Sequence, residues 1–292
     1  MNNQDNEKVF QKSNINWYPG HMAKARRIIQ EKYSMIDIVY EVVDARIPFS
    51  SKMKDIYDLI GKKRKILVMT KKDLCDEQIT SSWVKYYENL GTPTLLLNLN
   101  NPHEVQKLVD LTHELTKDIQ EKRNQKGLNK KEIRALVVGI PNVGKSTLIN
   151  RMCGKNIAKA ENHPGVTQNV TWLKTNSDII LLDTPGLLWP KLSSEEEALN
   201  LSACSAIKES ILPINQVAVH ILKKLSSYYP TILKEVYGVD RVIDENIENV
   251  YEIIAKRYGL LQHGEVNYEG VSTKIVRDII TEKIKGITLD RK

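Results

Sequence analysis

The residues with the plainest chemistry lie in the run GIPNVGKST, which holds Gly139, Asn142, Val143, Gly144, Lys145, Ser146 and Thr147. It fits GxxxxGK[ST], follows an apolar strand-like segment and opens a helix-like one, the context a phosphate loop requires. Glycines let backbone N–H groups turn inward around phosphates, and a helix amino terminus adds positive potential. Lys145 would reach the β- and γ-phosphates, and the Ser146 hydroxyl would ligate Mg²⁺. Further on, LLDTPG places Asp183 where it would hold the metal through water and Gly186 where its amide would meet a γ-phosphate. Between the two lies PGVT, with Thr167 as a candidate threonine closing on the metal.

A phosphate loop does not name the base. Thr70, Lys71, Lys72 and Asp73 follow the apolar run KILVM and resemble the [NT]KxD specificity motif of GTPases. A carboxylate at Asp73 would accept from both the ring N–H and the exocyclic amine of guanine, a donor pair adenine lacks. The Lys71 stem would pack along the base plane. The common first residue is Asn, so Thr70 offers only a hydroxyl. Asn98 and Leu99 stand where GTPases carry a loop whose backbone amide meets the guanine oxygen.

These pieces need elements to position them. Continuous apolar runs at Met35–Val43, Lys65–Thr70, Thr94–Leu99 and Ile133–Val138 read as strands buried on both faces. Helical spacing fills Ser51–Gly61, Glu77–Leu90 and Glu104–Lys122, and residues 170–183 read as two strands joined at Asn176-Ser177. Alternating strands and helices predict an α/β, mostly parallel, doubly wound sheet. From Glu195 to Lys285 the pattern is helical, with Pro213, Pro230 and Gly238 as breaks. The expected division is a basic segment 1–25, a nucleotide-binding domain 26–190 and an all-α domain 191–292.

The order strand–TKKD–helix–strand–loop–helix–strand–phosphate loop–helix–DxxG contains every part of a small GTPase domain, rotated in sequence. The charged connector at 122–132 would join the old termini. With WYPGHMAKA at Trp17–Ala25, DARIP at Asp44–Pro48 and DTPGLLWP at Asp183–Pro190, the chain resembles the circularly permuted GTPases that serve ribosome biogenesis. That resemblance covers nearly the whole chain. It implies a permuted P-loop GTPase fold, GTP and GDP as ligands with Mg²⁺, hydrolysis stimulated by a precursor of the large ribosomal subunit, and docking on ribosomal RNA.

Many GTPases orient the attacking water with a glutamine after DxxG, and Leu187 stands there instead. Two residues are therefore candidates for assisting hydrolysis beside the catalytic Lys145: Asn142, which resembles the asparagine of potassium-stimulated GTPases and would bring in K⁺, and His21, which could orient water. Two other readings compete. One is a guanine-gated RNA-binding scaffold with slow turnover; the other is an ATP-using kinase or transporter subunit, against which TKKD argues.

A formal charge of +7 permits a polyanionic partner, with clusters at Lys24, Arg26 and Arg27, in KKRK at 62–65, and around 122–131. No apolar run approaches the ~20 residues a membrane span needs. The amino terminus lacks the apolar core of a signal peptide, and Cys75, Cys153 and Cys204 form no CxxC pair. The expectation is a cytoplasmic monomer with reduced thiols. DTPGLLWP, lying between the two domains, is expected to be their hinge.

Overall fold

The computed structural model describes Arg27 and residues 29–53, 60–155, 171–183, 194–207 and 212–292. His21, Thr167, Gly186, Leu187 and the expected hinge lie outside those residues.

A six-stranded sheet forms the first part, ordered β3-β2-β1-β4-β6-β5. The strands are β1 (Ile38–Asp44), β2 (Arg64–Thr70), β3 (Thr94–Leu96), β4 (Ile133–Val138), β5 (Thr171–Lys174) and β6 (Ile179–Asp183). All neighbours run parallel except the β5–β6 hairpin at one edge. Every residue of β1 is buried, as expected for a central strand covered on both faces. On one face Tyr40, Val42, Ile66 and Val68 join the main core with Val105 and Leu108, and the Tyr40 and Thr112 hydroxyls share a buried hydrogen bond of 2.7 Å. On the other, Val43, Leu67 and Met69 pack against Trp83 and Tyr87.

Helix α1 (Glu77–Asn89) starts at Asp76, whose carboxylate accepts from the Ile79 amide. Helix α2 (Pro102–Leu115) starts at Asn101 with proline in its first turn. The single helix expected over Glu104–Lys122 is two, since α2 stops before Thr116 and α3 (Lys117–Gln125) follows. The Thr116 hydroxyl bonds the Thr112 carbonyl, a side-chain claim on backbone that favours helix ends over interiors. The third strand is also shorter than its apolar run, because the chain leaves the sheet after Leu96.

The connector that crosses from edge strand β3 to central strand β4 is tied down. Gln120 and Lys131 exchange two hydrogen bonds, and Lys131 Nζ sits 2.7 Å from Asp37 Oδ1. The rotated order is thereby closed into one sheet.

Helix α4 (Lys145–Cys153) follows β4, and beyond residue 194 come α5 (Glu195–Ala203), α6 (Ile214–Tyr228), α7 (Pro230–Tyr237), α8 (Ile247–Tyr258) and α9 (Tyr268–Ile280). Helix α6 packs against α9, α5 and α7. A two-residue hairpin, Leu261–Gln262 with Glu265–Val266, interrupts the expected all-helical run. The last residues return to the sheet: Gly286 N donates to the Leu74 carbonyl and Leu289 N to the Arg46 carbonyl. Buried residues of the sheet and of the helical part belong to one continuous core.

Candidate nucleotide site

Strands β2, β1, β4 and β6 all end on the same side of the sheet, at Thr70, Asp44, Val138 and Asp183. In open α/β sheets ligands bind in the crevice beyond such carboxyl ends. The loop leaving β4 turns at Gly139, whose φ of 154° places a Cβ, if there were one, 2.4 Å from the Val42 carbonyl oxygen. Only glycine fits so close to a neighbouring strand. Asn142 follows with a left-handed φ of 60°, and α4 opens at Lys145.

Two stretches distant in sequence meet here. The Thr70 hydroxyl donates to the Val143 carbonyl at 2.5 Å, with the Val43 carbonyl 3.2 Å away. Lys71 Nζ donates to the Asn142 carbonyl at 2.7 Å. Thr70 is wholly buried, so its hydroxyl clasps the loop and faces no base. Asp73 is exposed, and no hydrogen bond or ion pair among the described residues engages its carboxylate. Lys72 Nζ lies 3.3 Å from both Glu104 and Glu77.

Glu104 is a residue that sequence reasoning missed. Its Oε2 accepts from the Asn98 amide at 2.6 Å while Oε1 faces Lys72. Burial would raise its pKa, but these partners hold it below the usual value. It links the segment after β2 to the loop after β3, and only its place in the first turn of α2 hinted at the role. Since the Asn98 amide is committed to Glu104, Leu99 supplies the other candidate amide. Arg151 of α4 reaches the same loop, 3.0 Å from Asn100 Oδ1.

At the phosphate end Lys145 is buried, its ammonium 2.6 Å from the Ile140 carbonyl. Burial pushes its pKa down to about 8, and the charge on Asp183 pulls the other way. Ser146 lies one residue on, at the start of the same helix. The hydroxyl of Ser146 and the buried carboxylate of Asp183 are a hard-oxygen set suited to Mg²⁺, which keeps waters and takes few protein ligands. No cluster of three or more His, Cys, Asp or Glu side chains that could hold a metal ion occurs among the described residues.

Asn142 also faces the helical part, where its side-chain N–H donates to the Ser205 carbonyl at 2.7 Å. Its Oδ1 is left as the oxygen a K⁺ ion would use. An open groove of about 640 Å³ runs between α2 and α4, lined by Val105, Val109, Asn150, Arg151 and Met152. Thr147 is the one expected nucleotide contact in its wall, so the groove lies beside the loop. Cys75, Cys153 and Cys204 are free and buried, and none of the described helices is long and apolar enough to cross a membrane.

Comparison with known proteins finds relatives along nearly the whole chain. A model described as 50S ribosome-binding GTPase matches residues 134–256, starting at β4 and leaving Thr70–Asp73 ahead of its span. A model described as RsgA GTPase matches residues 60–192 and takes in both stretches. Ribosome biogenesis GTPase A of Bacillus licheniformis is 45% identical over 278 residues, covering 95% of this chain and 98% of that protein. The protein of that name from Bacillus pumilus is 41% identical over 277 residues, covering 95% and 98%. Among solved structures, GNP-bound YlqF from T. maritima matches with a TM-score of 0.61 at 22% identity, covering 92% of this chain and 98% of that one. That likeness shows the fold.

Proposed function

The chain belongs to the ribosome biogenesis GTPase A family, and from that premise we propose that it couples GTP binding and hydrolysis to a step in assembling the large ribosomal subunit. It is a GTPase, and its family places it in ribosome biogenesis. The finer reading is that GTP favours docking on a large-subunit precursor and that docking raises hydrolysis. The observation that carries the guanine site is the pair of links from Thr70 to Val143 and from Lys71 to Asn142, which draws the base-reading and phosphate-binding segments to one crevice.

Within that crevice each residue has a distinct task. Asp73 accepts the two guanine N–H donors, Lys71 lies along the base, and the Leu99 amide meets the guanine oxygen. Backbone amides from Val143 to Thr147 cradle phosphate oxygens at the start of α4, and Lys145 adds a positive charge whose attraction strengthens as negative charge shifts between phosphate oxygens in the transition state. Ser146 and Asp183, joined by Thr167, would hold Mg²⁺, which would supply charge neutralisation to the phosphates. Asn142 offers Oδ1 to K⁺, the Gly186 amide senses the γ-phosphate, and His21 orients the attacking water. The protein acts in the cytoplasm as a monomer, with ribosomal RNA as its docking partner.

Phosphate release from GTP tests this. With large-subunit precursors present, turnover in K⁺ is expected to exceed the free rate by about tenfold or more, and to fall when Na⁺ replaces K⁺ or when His21→Ala is introduced. Equal turnover with and without the precursor would defeat the proposed coupling. An unchanged rate in Na⁺ would remove the K⁺ role, and an unchanged rate in His21→Ala would remove His21.

A further inference from the structure

The end of β1 holds a charge cluster whose carboxylate, Asp44, has no place in the nucleotide chemistry above. Asp44 is 1% exposed. Its Oδ1 accepts from the Arg46 backbone N–H at 3.0 Å and from Arg46 Nε at 3.1 Å. Its Oδ2 accepts from Arg46 Nη2 at 2.8 Å and from Lys71 Nζ at 2.7 Å. The same Lys71 ammonium reaches the Asn142 carbonyl of the phosphate loop. Burial alone would raise the pKa of Asp44, but Arg46 and Lys71 hold it well below the ordinary carboxylate range.

Lys71 is constrained at both ends. Its backbone is left-handed, with φ of 59°, and its ammonium is fixed by a carboxylate and a carbonyl. A free lysine side chain loses on the order of 1–2 kcal/mol of rotamer entropy when it is ordered. A stem ordered in advance does not lose that at the moment a base arrives. Arg46 in turn is anchored to the helical part: its Nη1 donates to the Ile279 carbonyl at 3.2 Å, and its own carbonyl accepts from Leu289 N at 2.7 Å. The position of the carboxylate is thus set by groups that do not touch the nucleotide.

We propose that Asp44 is a positioning residue for guanine-nucleotide binding, holding Lys71 against the phosphate loop so that its stem is ready along the base plane, with Arg46 fixing the carboxylate. This rests on the reading of Lys71 as a base contact.

A double-mutant cycle on the dissociation constant for GDP tests it, with a thermal unfolding midpoint measured for each protein. Lys71→Ala is expected to weaken GDP by about tenfold to a hundredfold, the scale of a charge-assisted contact. Asp44→Asn alone should weaken it by a comparable factor, and the double variant should be no weaker than Lys71→Ala. A double variant that loses the product of the two factors overturns the proposal. If Lys71→Ala leaves GDP affinity unchanged, the reading of Lys71 itself fails. Since Asp44→Asn leaves Arg46 short of a charged partner, Asp44→Glu gives a second arm. It keeps a negative charge for Arg46 but moves the carboxylate away from its place beside Lys71, so it should weaken GDP; unaltered GDP affinity overturns the proposal as well.

Discussion

At the scale of single residues the site runs on buried charge. Lys145 shows this most directly, because its ammonium is removed from water before any phosphate arrives. Burial sets its pKa at about 8, against about 10.5 in an unfolded chain. Between those values the folded protein binds fewer protons than the unfolded one, so this group makes folding stability rise with pH from 8 to 10.5. Phosphate binding favours the charged ammonium and has the opposite sign. GDP affinity is therefore expected to be level below pH 8 and to fall as pH rises above it, with proton uptake on binding near pH 8. Titration calorimetry in buffers of different ionisation enthalpy checks this, and binding without proton uptake would show that Lys145 is fully charged in the free protein. Residue types alone singled out Lys145, Ser146 and Asp73 as candidates in the sequence, because phosphate and guanine chemistry demand few alternatives. Thr70 was legible only as a departure from Asn. That its hydroxyl clasps the Val143 carbonyl depends on two strands separated by β1 in the sheet, which no local pattern encodes.

At the scale of elements the sheet does the positioning, and its strands were the easiest part to read. The run Ile133–Val138 reappears as β4 with the same ends, since six apolar-rich residues between charged segment and glycine leave little room for slippage. The run at Thr94 misled, because Leu97 and Leu99 are buried by the loop after the strand and not by the sheet ladder. The break at Thr116 was hidden because Ile119 continues the apolar spacing across it. Position 139 carries the sharpest constraint on how strand becomes loop. Gly139→Ala would drive a methyl group to 2.4 Å from the Val42 carbonyl, in a backbone region closed to alanine. Loss of about 2–4 kcal/mol in urea unfolding is expected, with a matching loss of GDP binding. Gly91→Ala is the comparison: φ is positive there too, at 77°, but nothing lies within 4 Å of the added carbon, so about 1 kcal/mol is expected. Equal costs at the two sites would mean that the approach to β1 does not matter.

At the scale of the whole molecule the helical part is joined to the nucleotide crevice through more than the segment between residues 183 and 194. Asn142 meets Ser205, Arg46 meets Ile279, and the tail passes Leu74, beside Asp73, to reach Asp290. None of this was legible, because the tail after Ile280 has no periodicity to announce where it docks. Asp290 is buried and accepts from the Phe49 and Ser50 amides, the Ser50 hydroxyl and Asn200. Asp290→Ala strands those donors and is expected to cost about 3–5 kcal/mol in unfolding free energy. Burial raises the pKa of Asp290, so its contribution is fullest at low pH and declines as pH rises through the folded value. The deficit of the variant should accordingly shrink as pH rises above the ordinary carboxylate value, and a deficit that grows would contradict the assignment. These junctions connect the crevice to the helical part, the connection that the proposed coupling to a ribosomal precursor would use. Co-sedimentation with large-subunit precursors tests that account most directly, using a non-hydrolysable GTP analogue, GDP or no nucleotide. The protein is expected to travel with the subunit in the analogue and to be released with GDP or without nucleotide; equal binding in all three conditions would contradict it.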